Sequence, residues 1–207
     1  MSDKVTMDMR WSAKIFCEKV WPLIRGHLGG GDLMEMEGRP DTQLAKELDM
    51  KAGIDGWHIH KAGMRGIASR VQVTSHPWDT FTVRMARDSG AVTEFEKRKT
   101  SLDNPDQGWI YPAVTVQAYI SLKKESVISC GLGKTKDIIE FIAKNLHTLK
   151  RTSNAEFAVC PWGEMQKHGY DVGIIQCEKA AELEIFEPSV FTENGIKCFR
   201  FQPEGAR

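Results

Sequence analysis

Leu48-Asp49-Met50-Lys51-Ala52-Gly53-Ile54-Asp55-Gly56-Trp57 is the stretch on which the reading of the fold turns. Asp55 follows Asp49 by six positions, and Ala52-Gly53 between them lets the backbone turn tightly before Ile54 opens a strand. One carboxylate then starts the strand and the other can approach it. Paired carboxylates at a strand mouth suit a hard divalent cation.

Working outward, Ile54 to His60 reads as a strand, Lys61-Ala62-Gly63 as a turn, and Gly66 to Thr74 as the hairpin partner. Alternation sets Ile67, Ser69, Val71 and Val73 on one face and Arg70, Gln72 and Thr74 on the other. Thr80 to Arg87 is expected as a third strand, with Thr80, Thr82 and Arg84 opposite Phe81, Val83 and Met85. Asp55 at the entrance of the first strand is expected to meet Gln72 across the hairpin.

Upstream, residues 9 to 25 place Trp11, Ile15, Phe16, Val20, Leu23 and Ile24 at helical spacing. Gly29-Gly30-Gly31 ends that helix, Asp32 to Gly38 is a weak strand or loop, and Asp41 can cap a short helix through Met50. Downstream come a charged helix from Val92 to Ser101, a strand from Tyr111 to Leu122, a strand from Val127 to Leu132 and an amphipathic helix from Lys136 to Leu149. Glu156 to Cys160 and Asp171 to Cys177 are further candidate strands, and Asn194-Gly195 signals a tight hairpin. The chain is read as one domain over residues 1–207, with a core at 9–122 and a C-terminal α+β extension at 123–207.

The 207 residues suit one domain. No apolar run approaches the ~20 residues that span a bilayer, and the N-terminus has no apolar signal-like stretch, so no membrane partner is expected. Five unpaired-looking cysteines point to a reducing cytoplasm. Net charge is zero but unevenly spread. Residues 32–55 hold seven acids against three bases, while residues 61–99 hold eight bases, Arg65, Arg70, Arg84, Arg87 and Lys97 among them, against four acids. An acidic segment beside a basic one suits a site for a cation and a phosphate, or two solvated faces.

The order helix, three strands, helix, strand and the Asp…Gln-x-Thr pattern of Asp55, Gln72 and Thr74 resemble the PD-(D/E)XK nuclease superfamily over residues 9–122. The resemblance implies an α/β, restriction-endonuclease-like core with a three-strand antiparallel meander. It also implies nucleic-acid binding, with DNA as the partner, and magnesium- or manganese-dependent phosphodiester hydrolysis. Asp55 matches the family aspartate and Gln72 the Gln form of the second metal position, with Asp49 or the helical Glu18 assisting. Thr74 stands where the motif lysine belongs, so Lys97 from the neighbouring helix, or Arg70, would position water and stabilise the transition state. Arg84, Arg87 and Arg65 would grip phosphate and Trp78 would stack on a base. A homodimer follows by analogy with cores that cut two strands as pairs.

The alternative is a catalytically inactive interaction protein on the same fold, such as a phage or plasmid accessory factor. A nucleotide or small-molecule hydrolase is a third reading. Gly131-Leu132-Gly133-Lys134-Thr135 is no P-loop, because the first glycine of that motif would fall on Ile128. His58 and His60 lack a third ligand at zinc spacing, and Cys160 with His168 has nothing local to bring the two together.

Overall fold

A computed structural model of the chain describes residues 11–36, 52–74, 78–108, 110–121, 126–177, 188–193 and 196–201. Its strands are β1 (Asp32–Glu35), β2 (Gly56–His60), β3 (Gly63–Thr74), β4 (Thr80–Arg87), β5 (Val114–Ser121), β6 (Val127–Lys134), β7 (Thr148–Arg151), β8 (Ala155–Pro161), β9 (Val172–Cys177), β10 (Pro188–Glu193) and β11 (Ile196–Phe201). Helix α1 covers residues 11–24, and α2 (Glu94–Asp103), α3 (Thr135–Ala143) and α4 (Trp162–Lys167) follow. The architecture is mixed α/β with a sheet-dominated core. No helix among the described residues is long and apolar enough to cross a membrane.

The main sheet has the order β1-β2-β3-β5-β6-β9-β11-β10, and β4-β8-β7 form a second, three-stranded sheet. β3 and β5 run parallel, from Ile67 opposite Val114 to Thr74 opposite Ser121. A parallel pair cannot be closed by a hairpin and needs a crossover. The chain between Thr74 and Val114 supplies it, carrying β4 and α2 over one face of the sheet.

This overturns the expected meander of β2, β3 and β4. β4 pairs antiparallel with β8, Phe81 lying opposite Cys160, and takes no place beside β3. A three-strand antiparallel meander does exist one strand earlier, as β1-β2-β3. Residues 123–207 are likewise no appendage to a finished sheet, because β6 pairs with β5, β9 with β6, and β8 with β4. The expected helix from Asp41 to Met50 lies outside the described residues.

Each face of the main sheet has its own core. On one, Ile67, Val114, Val116, Ala118 and Ile120 receive Ile15, Phe16, Val20, Trp21 and Ile24 of α1. At about 1.5–3 kcal/mol per fully buried large side chain, this helix face contributes on the order of 10 kcal/mol. Its hydrogen bonding changes register at Phe16–Val20, where the turn is π-helical and the Trp21 N–H reaches back to the Phe16 carbonyl. Pro22 follows directly and has no N–H to continue the ordinary ladder, which accounts for the wider turn there. On the opposite face, Phe81 and Val83 of β4 pack with Tyr119, with Ile138, Ile139, Phe141 and Ile142 of α3, and with Trp162 and Met165 of α4. The α4 helix and β7 have no counterpart in the sequence reading, which ran α3 on through Leu149.

The triple glycine closes α1 against the hairpin. Gly31 has φ +98°, and a Cβ there would lie 2.4 Å from the Ile59 carbonyl oxygen, so only glycine fits. The wholly buried His58 holds this turn through Nε2 and the Gly30 carbonyl, 2.6 Å apart. Arg65 donates from Nε to His58 Nδ1 at 2.9 Å and from Nη2 to the Leu28 carbonyl at 2.8 Å. His58 therefore accepts at Nδ1 and donates at Nε2.

Candidate functional site

Alternation on β3 and β5 sends Arg70, Thr115 and Gln117 toward the crossover, and alternation on β4 sends Thr82 and Arg84 to meet them. An irregularity in the β4–β8 pairing between Arg84 and Ala86 adds a residue to β4, which turns Arg87 to the side of Arg84. Helix α2 begins with a capping box: Thr93 Oγ1 accepts the Glu96 N–H, and the Glu96 side chain accepts the Thr93 N–H. That start fixes Glu94 in the first turn, with Arg98 one turn on.

These elements enclose a cleft of about 190 Å3. Asp55 and Ser69 stand at one side, Arg70, Thr115 and Gln117 form the floor, Thr82, Arg84 and Arg87 come from β4, and Glu94, Lys97 and Arg98 come from α2. Five cations thus face two carboxylates.

Glu94 is the hub. Arg70 Nη2 lies 2.9 Å from its Oε2, Arg98 Nη1 lies 2.8 Å from its Oε1, and the Arg84 N–H reaches Oε2 at 3.5 Å. Burial alone would raise the Glu94 carboxyl, but the Arg98 and Arg70 guanidinia and the Arg84 N–H outweigh it and hold the group below its ordinary pKa. Burial, and then the neighbouring Arg87 and Arg70, pull Arg84 below its ordinary value against the opposing charge of Glu94. The Phe157 ring supports both cations, with Arg84 Cζ 5.3 Å and Arg70 Cζ 5.6 Å from its centroid.

A polar chain ties the crossover to the main sheet. Gln117 Oε1 accepts the Thr82 N–H at 2.9 Å, Gln117 Nε2 donates to Tyr119 Oη at 3.0 Å, and Tyr119 Oη donates to the Thr80 carbonyl at 3.0 Å. Arg70 Nη1 donates to Thr82 Oγ1 at 3.0 Å. These bonds hold the cleft walls at a fixed separation.

Of the residues expected at a site, Asp55, Arg70, Arg84, Arg87 and Lys97 line this one cleft. Gln72 does not. Gly56 at the start of β2 lies opposite Ile67, and Gln72 is five residues further along β3, opposite Tyr119 and exposed. Asp55 instead accepts the Ser69 N–H through Oδ2 at 2.5 Å, while its own N–H bonds to the Ile67 carbonyl. Because β2 starts at Gly56, Ser69 has no strand partner on that side among the described residues, and the carboxylate takes the place of the missing strand residue.

Glu18 lies on the exposed side of α1; the small crevice beside Asp55 under that helix is lined by Ala13, Cys17 and Glu35 instead. Arg65 is engaged with His58 and Leu28 at the glycine turn, away from the cleft lining. Trp78 is exposed, donates from Nε1 to Thr74 Oγ1 at 3.1 Å and stacks under Lys150 Nζ at 5.5 Å. Asp49 lies outside the described residues.

Among the described residues, no group of three or more His, Cys, Asp or Glu converges as a metal cage. Cys160 is fully buried, with its thiol pushed up to about 12 by burial, and His168 packs edge-on against Phe141, so that pair forms no nucleophile and base. Sequence reading missed Glu94 and Arg98. The signal was Thr93-x-x-Glu96, which caps the helix at Thr93, starts it at Glu94, two residues later than Val92, and sets Glu94 and Arg98 on one face.

No family model, curated protein or solved structure matches the chain.

Proposed function

We propose that the protein binds the phosphate backbone of nucleic acid, DNA in the first instance, in the cleft between the main sheet and α2, and that it hydrolyses a phosphodiester there. The observation that carries this reading is the convergence of five cations and Asp55 on one cleft from two strands, a strand end and a helix. Arg84, Arg87 and Lys97 meet the phosphate oxygens, while Arg70 is held in place by Glu94 and Thr82. Lys97 orients the attacking water and meets the charge that develops on the phosphoryl oxygens.

Asp55 would hold a magnesium or manganese ion. Gln72 is excluded as its companion by the strand register, and Glu94 is engaged by two guanidinia. One carboxylate with waters and substrate phosphate is within the habit of magnesium. Such an ion supplies Lewis-acid polarisation of the phosphoryl oxygen.

Metal-dependent cleavage of single-stranded, duplex and branched DNA by the full chain and by Asp55→Asn tests hydrolysis. Equal cleavage by both, or none by the wild type, removes the catalytic half. The salt dependence of affinity tests binding: three phosphate contacts on duplex DNA give a log–log slope of about −2.7, and Arg87→Gln should lower its magnitude by about 1. A salt-independent affinity would remove the whole reading.

The inactive, nucleic-acid-binding alternative is favoured by one specific observation. The Asp55 carboxylate already satisfies the Ser69 N–H, a role that holds the sheet together without any chemistry. Binding with the expected slope and no cleavage under any metal is its signature.

A further inference from the structure

We infer that the α2 side of the cleft is a seat for a terminal phosphate, a phosphomonoester rather than an internal diester linkage, with Arg98 and Arg84 as its donors. The inference rests on the phosphate-binding reading above and narrows it to one end of the ligand.

Arg98 is only 4% exposed and lines the cleft. Its Nε has no hydrogen-bond partner, and its Nη1, although 2.8 Å from Glu94, is not aligned to form a hydrogen bond. Arg84 Nε, on the facing strand, is also buried and without a hydrogen-bond partner. Buried polar groups are satisfied in about nine cases of ten, and charged donors lose most when left unmade. Two buried guanidinium Nε–H groups, on two arginines that line one cleft, therefore lack an acceptor. Guanidinium forks match the paired oxygens of a phosphate.

The geometry selects a chain end. The cleft of about 190 Å3 is smaller than the roughly 300–1,000 Å3 that takes a drug-sized ligand, so it admits a group rather than a whole nucleotide. An internal diester carries a nucleotide on either side and would have to bring both to a nearly inaccessible arginine. A terminal phosphate has one substituent and leads inward. Its second negative charge also suits a wall where cations outnumber carboxylates. Lys97 and the exposed Arg87 at the rim then remain for the next linkage.

The test compares fluorescence-anisotropy affinities of the full chain for one short DNA strand carrying a 5′-phosphate, a 3′-phosphate or neither, with metal omitted. Thermal shift with inorganic phosphate and a nucleoside monophosphate runs in parallel. One phosphorylated end should bind about ten- to one-hundred-fold tighter than the unphosphorylated strand, the range of one or two charge-assisted hydrogen bonds. Arg98→Lys should remove most of that preference while leaving unphosphorylated binding within about threefold; Arg84→Gln, which also loses a contact to internal phosphates, should weaken every strand but the phosphorylated one most, so that the loss of preference is still read if the Arg98 variant fails to fold.

Equal binding of all three strands overturns the terminal seat and leaves nucleic-acid binding intact. Stabilisation by phosphate and monophosphate without any strand binding keeps the seat and removes the nucleic-acid reading, naming a free nucleotide as the source. Neither strand binding nor phosphate stabilisation overturns both.

Discussion

Glu94→Gln is the most searching perturbation, because one carboxylate organises three cations. Arg98 beside it is 4% exposed and Glu94 itself 22% exposed, so water replaces little of the lost charge at Arg98. Breaking a buried pair by neutralising one partner costs about 3–5 kcal/mol, most of it from the charge left behind. With a urea m of about 2–3 kcal/mol/M, the unfolding midpoint should fall by about 1–2 M. Removing both charges, in Glu94→Gln with Arg98→Met, should recover most of the loss, since an uncharged pair of similar volume carries no such penalty. The pH dependence follows from the sign of the shift. Despite the burial that would raise it, the arginines and the Arg84 N–H hold the folded-state pKa of Glu94 below its unfolded value. Below about pH 4.3 the unfolded chain binds the proton first, so the contribution is complete above that pH and is lost as pH falls through the folded pKa. Urea titrations of wild type and variant at pH 7 and across the acid range measure both effects. A midpoint change under about 0.5 M at neutral pH, or an acid dependence the variant shares in full, would refute the role given to Glu94.

Asp55→Ala should cost about 1–3 kcal/mol by stranding the Ser69 N–H, and Asp55→Asn should recover much of it, as measured by thermal unfolding; equal stability of the two would mean that the carboxylate does not complete the sheet. Gly31→Ala should lower stability by at least about 2 kcal/mol, because a left-handed φ and a backbone clash coincide, whereas Gly90→Ala, at φ +67° in open space, should cost about 1–2 kcal/mol. Similar calorimetric melting shifts for the two glycine variants would count against the packed turn. Cys130 and Cys160, with no exposure and thiols raised by burial, should resist alkylation at pH 8 until urea unfolds the chain, whereas the partly exposed Cys17 should react in the native state. Site-resolved mass spectrometry decides it, and native labelling of Cys160 at the rate of Cys17 would contradict the core assignment.

Local periodicity carried most of the strands, and Thr80–Arg87 forms over the residues expected. What it could not carry was β4's partner. A strand that follows β3 after a short break reads as the next member of a meander, and only the parallel pairing of β3 with β5 forces it into a crossover. That pairing joins residues far apart in sequence, as does the pairing of β4 with β8. One trace of it was local: Thr115 and Gln117 interrupt the apolar pattern of β5, yet both are buried, which requires a polar element over that face.

The position of Gln72 was a different kind of miss. A turn at Lys61 and Ala62 pairs His60 with Gly63, and counting back along both strands brings Gly56 to Ile67, so Asp55 cannot face Gln72. Strand register therefore decides what the cleft can do. It removes the glutamine that would have shared a metal with Asp55 and leaves the arginines of β3, β4 and α2 facing each other across Glu94. The resulting chemistry is first that of an anion seat, and any metal held at Asp55 would act beside it.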